Sequence, residues 1–332
     1  MQIYEDLEQV HFDGPTVLTI GNFDGVHLGH QALLETVIDL AGSWPGMAAS
    51  SVIVTFEPHP LKVLRPELSL DLLTTPLERL QICAGMGIDI GIVQPFTREL
   101  ATFTASEFIA LLHEHLGMAA LVVGPDFALG KDRSGTLDVL AALGEEFDYR
   151  LIVQDLVDNG QHSIRSKTIR QLLYEGDVSA AAKLLGRYYH MVGEVEFGEQ
   201  RGREFGIPTA NLLIPEDKLW PANGVYVTRT WIVEKRRSFS SVTNVGYRPT
   251  VNGHSRRIES HLLDFPPRGE SGNLYGKQLV VEFLGRLRGE QKFDGPDQLI
   301  AQIHADITHA RQFLDDAPPA SPPFFLTPLS ET

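Results

Sequence analysis

The sequence predicts a two-part chain: an α/β half built on a parallel sheet, then an antiparallel β-barrel. Three observations carry this. At 332 residues the chain is long for one hydrophobic core. Through residue 186, short apolar runs alternate with helical patterns, which is the signature of βαβ units. From Val192 the texture changes to short β-rich runs separated by Gly, Pro and Asn, which favours a barrel.

Thr16 to Ile20 is apolar and β-branched, and Gln31 to Leu40 reads as an amphipathic helix. Between them lies Gly21-Asn22-Phe23-Asp24-Gly25-Val26-His27-Leu28-Gly29-His30, whose glycines allow close backbone approach. Strand, tight loop and helix start together make an anion site, because a helix N-terminus presents unpaired N–H groups and a partial positive charge. His27 and His30 lie three apart and can face one space. Imidazoles there can donate hydrogen bonds to a phosphate whose charge grows during displacement. Two readings compete: a structural turn with a satisfied histidine, and a zinc pair, for which a single cysteine, Cys83, leaves few ligands.

Ser51 to Phe56 is a second buried strand, stopped by Pro58 and Pro60 in Glu57-Pro58-His59-Pro60. Ligands of open parallel sheets sit beyond strand C-termini, within reach of His59 and Glu57. The alternation then continues with a helix over Leu77 to Met86, a strand over Ile88 to Val93, a helix over Ala105 to Leu116 and a strand over Ala119 to Val123. The next loop, Gly124 to Gly135, is not a Walker A motif: five residues separate Gly124 from Gly130, and Asp132 stands where Ser or Thr would hold magnesium. Gly85-Met86-Gly87 precedes a strand instead of following one, so the dinucleotide fingerprint also fails. Leu151 to Val153 is a fifth strand, Ser163 to Arg170 opens a helix, and Asp177 to Gly186 is a short one.

In the second half, Gly206-Ile207-Pro208-Thr209-Ala210-Asn211 follows a glycine at 202; taken alone Pro-Thr-Ala-Asn reads first as a turn, and as the alternative Thr209 and Asn211 offer hard oxygen ligands suited to magnesium beside a nucleotide. Gly224-Val225-Tyr226 starts a central strand, and Asn244 to Thr250 ends another. Ile258 to Phe265 alternates, so Glu259 and His261 share a face. Pro296 to Phe313 reads as a helix that can pack on the barrel, and residues 315–332 as a Pro-rich flexible tail.

The formal charge of −15 argues against a nucleic-acid or membrane-surface binder, and Lys235-Arg236-Arg237, the one compact basic run, reads as a solvated hairpin tip. One cysteine excludes a disulfide framework, Met1 to Val10 does not resemble a signal peptide, and no apolar stretch has the length of a membrane span. The expected location is the cytoplasm; oligomeric state is left open.

Gly-x-Phe-Asp-x-x-His-x-Gly-His over Gly21 to His30, Phe-Glu-Pro-His-Pro over Phe56 to Pro60, the Gly124 to Gly135 loop and Pro-Thr-Ala-Asn over Pro208 to Asn211 together resemble the bifunctional riboflavin kinase/FAD synthetases of prokaryotes. The resemblance implies a Rossmann-like HxGH nucleotidyltransferase domain over 1–186, adenylylating FMN, and a riboflavin kinase barrel over 187–314. It implies ATP as co-substrate of both, FMN and FAD as products, and Mg2+. Carried over residue by residue, Gly21, Asn22, Phe23, Asp24, His27, His30, Ser166, Lys167 and Arg170 meet ATP in the transferase. His59, Asp126, Phe127 and Arg133 meet FMN. In the kinase, Gly202, Gly206, Pro208, Thr209, Asn211 and Arg288 bind nucleotide or flavin, Thr209 and Asn211 hold magnesium, and Glu259 is the general base. The chain departs from the family pattern where Arg165 and Lys167 replace hydroxyl residues and Leu129 replaces an aromatic. Those departures motivate a kinase with a weakened transferase half; a non-catalytic flavin-binding regulator is the third reading.

Overall fold

The computed structural model describes residues 1–155, 164–197, 206–250, 253–266, 273–317 and 329–331. It divides into two compact units, residues 1–166 with 324–332, and residues 167–323.

The first unit alternates strands and helices: β1 (Gln2–Tyr4), β2 (Thr16–Ile20), α1 (Leu28–Gly42), β3 (Ser50–Glu57), α2 (Pro60–Leu64), α3 (Pro76–Met86), β4 (Ile90–Pro95), α4 (Ala105–Leu116), β5 (Met118–Val123), α5 (Leu137–Phe147) and β6 (Arg150–Val153). The chain's last strand, β13 (Ser330–Glu331), joins them in a seven-stranded sheet of order β13-β1-β4-β3-β2-β5-β6. Every pairing in it is parallel. β2 and β3 are buried on both faces, as the near-continuous apolar runs require. Leu18, Ile20, Val52 and Val54 face a core built with Phe108, Ile109, Leu112 and Leu140 from α4 and α5. The alternate residues Val17, Ile53, Ala120 and Val122 face a second core with Leu34 and Val37 of α1 and Leu80 and Ile82 of α3. α3 and α4 each begin in a capping box, Thr75 with Glu78 and Thr104 with Glu107, and each ends at a left-handed glycine, Gly87 and Gly117. After β2 the chain builds outward to one side through β3 and β4, then crosses to the other side with β5, so the C-terminal end of β2 is the switch point where ligands bind such sheets.

Several expected boundaries moved by one to three residues. The strand expected at Ile88 begins at Ile90, and α1 begins at Leu28, because the His27 side chain caps it. The middle of the expected tail, residues 318–328, lies outside the described residues; its end pairs with β1, and Leu329 packs on the second core.

The second unit holds α6 (Ser166–Glu175) from its second residue, α7 (Val178–Leu185), β7 (Tyr189–Glu196), β8 (Ala210–Leu213), β9 (Gly224–Ile232), β10 (Arg237–Thr250), β11 (Gly253–Leu262), β12 (Gln278–Arg288) and α8 (Pro296–Asp315). Six antiparallel strands close into a barrel of order β10-β11-β8-β7-β12-β9. Residues alternate in and out along each strand. Val225, Val227 and Val242 pack outward against Ile307, Ala310 and Leu314 of α8. The inward neighbours include Thr228, Thr230, Ser241, Thr243 and Ser260, all fully buried. Their hydroxyls form a closed five-membered ring, Thr228–Ser241–Thr230–Ser260–Thr243 and back to Thr228, with every step between 2.7 and 3.0 Å. Each hydroxyl can donate once and accept once, so the ring satisfies itself without water. Lys235 and Arg236 lie exposed at the β9–β10 turn. Among the described residues no helix is long and apolar enough to cross a membrane.

Candidate functional sites

In the first unit the stretch after β2 folds tightly, with φ of 44° at Phe23, 88° at Gly25 and 38° at Val26. The turn is held from outside: the buried Asp24 carboxylate accepts from the Leu73 N–H at 3.2 Å and the Thr74 N–H at 3.0 Å, and the Gly25 N–H donates to Thr74 Oγ1 at 3.0 Å. His27 is the N-cap of α1, its Nδ1 accepting from the His30 N–H at 3.3 Å. That bond leaves the neutral ring's proton on Nε2, where it can be donated. The two imidazoles stack, centroids 3.6 Å apart and planes 17° apart, and Phe23 meets the His30 ring edge-on at 5.2 Å. A Cβ on Gly29 would stand 3.3 Å from the His27 ring, so glycine makes room for the pair. Ser166 Oγ donates to the Asp24 carbonyl at 2.8 Å, bringing the start of α6 to the same turn. Lys167, exposed, and Arg170, half-buried, follow on that helix.

His59 is buried and caps α2, its Nδ1 accepting from the Leu61 N–H at 3.1 Å. The Gly124 to Gly135 loop pinches shut through mutual backbone bonds between Leu129 and Gly135. Phe127 and Leu129 pack on the first core. Asp126 is exposed; its carbonyl accepts from Arg133 at 2.9 Å and its carboxylate pairs with Arg165 at 2.8 Å. Arg165, one of the departures from the family pattern, ties its own segment to the Gly124 to Gly135 loop through this pair.

In the barrel, register assembles the site. Glu259 on β11 stands opposite Asn211 on β8 and opposite Asn244 on β10, giving one row, Asn211–Glu259–Asn244, across three strands. Asn211 Oδ1 is buried and makes no hydrogen bond among the described residues, a hard oxygen donor fit for a divalent cation. A cavity of about 280 Å³ takes Glu259 and Asn244 of that row into its wall, with Thr209, Arg288, Glu290 and Ile307, while Asn211 stands beside Glu259 outside the lining. A neighbouring cavity of about 310 Å³ shares Thr209 and His261 with it and takes in Gly206, Pro208 and Tyr275. Pro208 is fixed by the His261 ring, whose Nδ1 lies 2.8 Å from its carbonyl. Gly206 needs its glycine, at φ 73°. Gly202 lies outside the described residues.

Arg288 reaches the first of these cavities, but its guanidinium is held by the buried Asp306 of α8 at 2.8 to 3.1 Å, and Gln302 donates to the same carboxylate at 2.9 Å. Asn244 and Asp306 were not singled out as site residues from the sequence. Asn244 stood in a recognised motif, whereas Asp306 reads as any acid on an exposed helix face.

Comparison with known proteins finds a match for each half of the chain. A family model described as FAD synthetase matches residues 9–168 and one described as riboflavin kinase matches 185–314. Proteins called bifunctional riboflavin kinase/FMN adenylyltransferase from Escherichia coli strain K12 and Pseudomonas fluorescens are each 35% identical; the first alignment covers 92% of this chain and 94% of the relative, the second 89% and 92%. The Haemophilus influenzae protein of the same name is 34% identical over 90% of this chain and 94% of its own. A solved structure titled a macrolide-efflux protein from Streptococcus pneumoniae superposes with a TM-score of 0.82 at 31% identity, covering 93% of this chain and 98% of that one.

Proposed function

The chain belongs to the bifunctional riboflavin kinase/FMN adenylyltransferase family, and from that premise we infer how its two units divide the chemistry. It phosphorylates riboflavin with ATP to FMN and ADP, and adenylylates FMN with ATP to FAD and pyrophosphate. We assign the adenylyltransferase to residues 1–186 and the kinase to 187–314; the riboflavin kinase match begins at 185, two residues before that boundary, while by packing α6 and α7 go with the barrel. We place the enzyme in the cytoplasm, in keeping with its single, buried cysteine.

In the kinase, Glu259 takes the proton from the terminal ribityl hydroxyl while that oxygen bonds to the γ-phosphorus and the bond to the ADP oxygen breaks. The observation that carries this is Glu259 at the cavity wall between its strand neighbours, with Asn244 and Thr209 in the same wall and Asn211 next to it in register. Thr209 and Asn211 would hold Mg2+, which when bound offsets phosphate charge; the buried, unbonded Asn211 Oδ1 supports the fit.

In the transferase no base is needed, since the FMN phosphate is already anionic. Its oxygen bonds to the α-phosphorus of ATP, the bond to the departing pyrophosphate breaks, and no proton moves. Catalysis rests on alignment and on hydrogen bonds from His27 and His30 at the start of α1, where the helix dipole acts in the same sense. Gly21, Asn22 and Phe23 shape the space at that helix start, and Asp24 and Ser166 hold its turn. His59, Phe127, Arg133 and Asp126 flank the FMN.

A product assay starting from riboflavin, ATP and magnesium, resolving FMN from FAD, tests the whole assignment. FMN that accumulates with no FAD, even when FMN is supplied, leaves the kinase-only reading standing.

A further inference from the structure

The mechanism leaves one buried charge in the first unit without a task. Arg79, on α3, is 1% exposed and among the largest side chains fully enclosed in the molecule. Burial pulls its guanidinium below the usual value while Asp24 and Glu57 pull the other way, and an arginine so placed keeps its charge at neutral pH. Its Nη1 donates to Thr55 Oγ1 at 2.5 Å, and that hydroxyl lies 3.4 Å from the Asn22 carbonyl. Nε and Nη2 make no hydrogen bond among the described residues. One cation therefore reaches, through one hydroxyl, both the turn that carries His27 and His30 and the strand end that leads to His59.

Packing alone does not account for it. An apolar side chain of similar volume would fill the space without the desolvation cost of a buried guanidinium. Nor is Arg79 needed to satisfy Asp24, whose carboxylate already accepts from Leu73 and Thr74. What it supplies is positive charge. Asp24 and Glu57 put two carboxylates beside a site that has to accept a flavin phosphate and a nucleoside triphosphate together, and uncompensated they would repel both.

We propose that Arg79 is a positioning residue for adenylyl transfer, a buried cation that offsets Asp24 and Glu57 and keeps the turn of His27 and His30 in register with the loop of His59. The proposal rests on the first unit being the adenylyltransferase. Arg79 acts through its neighbours and by its field, so its loss weakens binding of both anionic substrates more than it slows the chemical step.

The test uses the full-length chain with Arg79→Met and Arg79→Lys, measuring FAD formation with FMN and ATP varied in turn. Expected for the methionine variant is a KM raised roughly tenfold or more for both substrates with a smaller fall in kcat. The lysine variant, which keeps the charge, recovers most of the lost affinity. FMN formation from riboflavin in the same preparations stays at the wild-type rate. A methionine variant with unchanged KM values, a loss confined to kcat, or a lysine variant no better than methionine overturns the proposal. If the methionine variant does not fold, the lysine variant decides: KM values near wild type sustain the proposal, and KM values raised tenfold reject it. If wild type makes no FAD, the transferase reading itself has failed. Hydrogen exchange of residues 21–31 with added pyrophosphate then still decides for Arg79: protection kept in wild type and lysine but lost in methionine supports it, and equal exchange in all three overturns it.

Discussion

The two candidate sites are constructed in opposite ways. In the α/β unit the candidate residues Phe23, His27 and His30 come from one strand-to-helix turn, and the imidazole stack follows from a single helix start. In the barrel, Asn211, Glu259 and Asn244 are far apart in sequence and meet only because three strands pair in one register. A site written in one turn depends on what pins that turn. A site written across strands depends on the whole barrel, since a one-residue slip would send each side chain to the other face.

The sharpest way to break the contrast is to remove one reacting group from each side. Glu259→Gln is expected to lower FMN formation roughly 10²- to 10⁴-fold while FAD formation from supplied FMN is retained, measured by resolving both products. His30→Ala should do the converse, lowering FAD formation on the order of 10²- to 10³-fold and sparing FMN. Equal loss of both products in either variant would show that the two sites are not independent. Asp306→Ala probes the barrel's dependence on distant packing: it strands the Arg288 guanidinium, whose side chain is 17% exposed, and should destabilise the second unit by about 3 kcal/mol. Denaturant unfolding followed by tryptophan emission would register this, with the FAD-forming step unaltered. Asn211→Ala sharpens the metal assignment; FMN formation should need on the order of tenfold more magnesium, with the FAD step's requirement unchanged. The smallest effect is expected at Thr75→Ala, which removes the α3 cap for about 1 kcal/mol in thermal unfolding and leaves both products in their original ratio.

What the sequence made legible follows the same division. α4 was read at its observed ends, Ala105 and Leu116, because Thr104, Glu107 and Gly117 punctuate it on both sides. The turn of His27 and His30 was legible because every part of it is local. β1 and β13, three and two residues long, are too short to show any period, and β13 is defined by its pairing with β1. Arg79 lies in an amphipathic helix where a charged residue reads as solvent-facing, and only the packing of α3 against the sheet reveals that it is enclosed. Asp306 with Arg288, and Arg165 with Asp126, are pairings that tertiary structure alone creates.

The closed ring of hydroxyls inside the barrel has a consequence for anyone altering that interior. Because each member gives a proton to one neighbour and takes one from another, a lone Thr228→Val exchange strands a giver and a taker at once, deep in an oily surround. Threonine for valine is nearly isosteric, so shape would be kept while solvation is lost. The five positions therefore behave as a single hereditary unit: redesign towards an aliphatic filling must convert them together, and any half-converted intermediate should be less stable than either end.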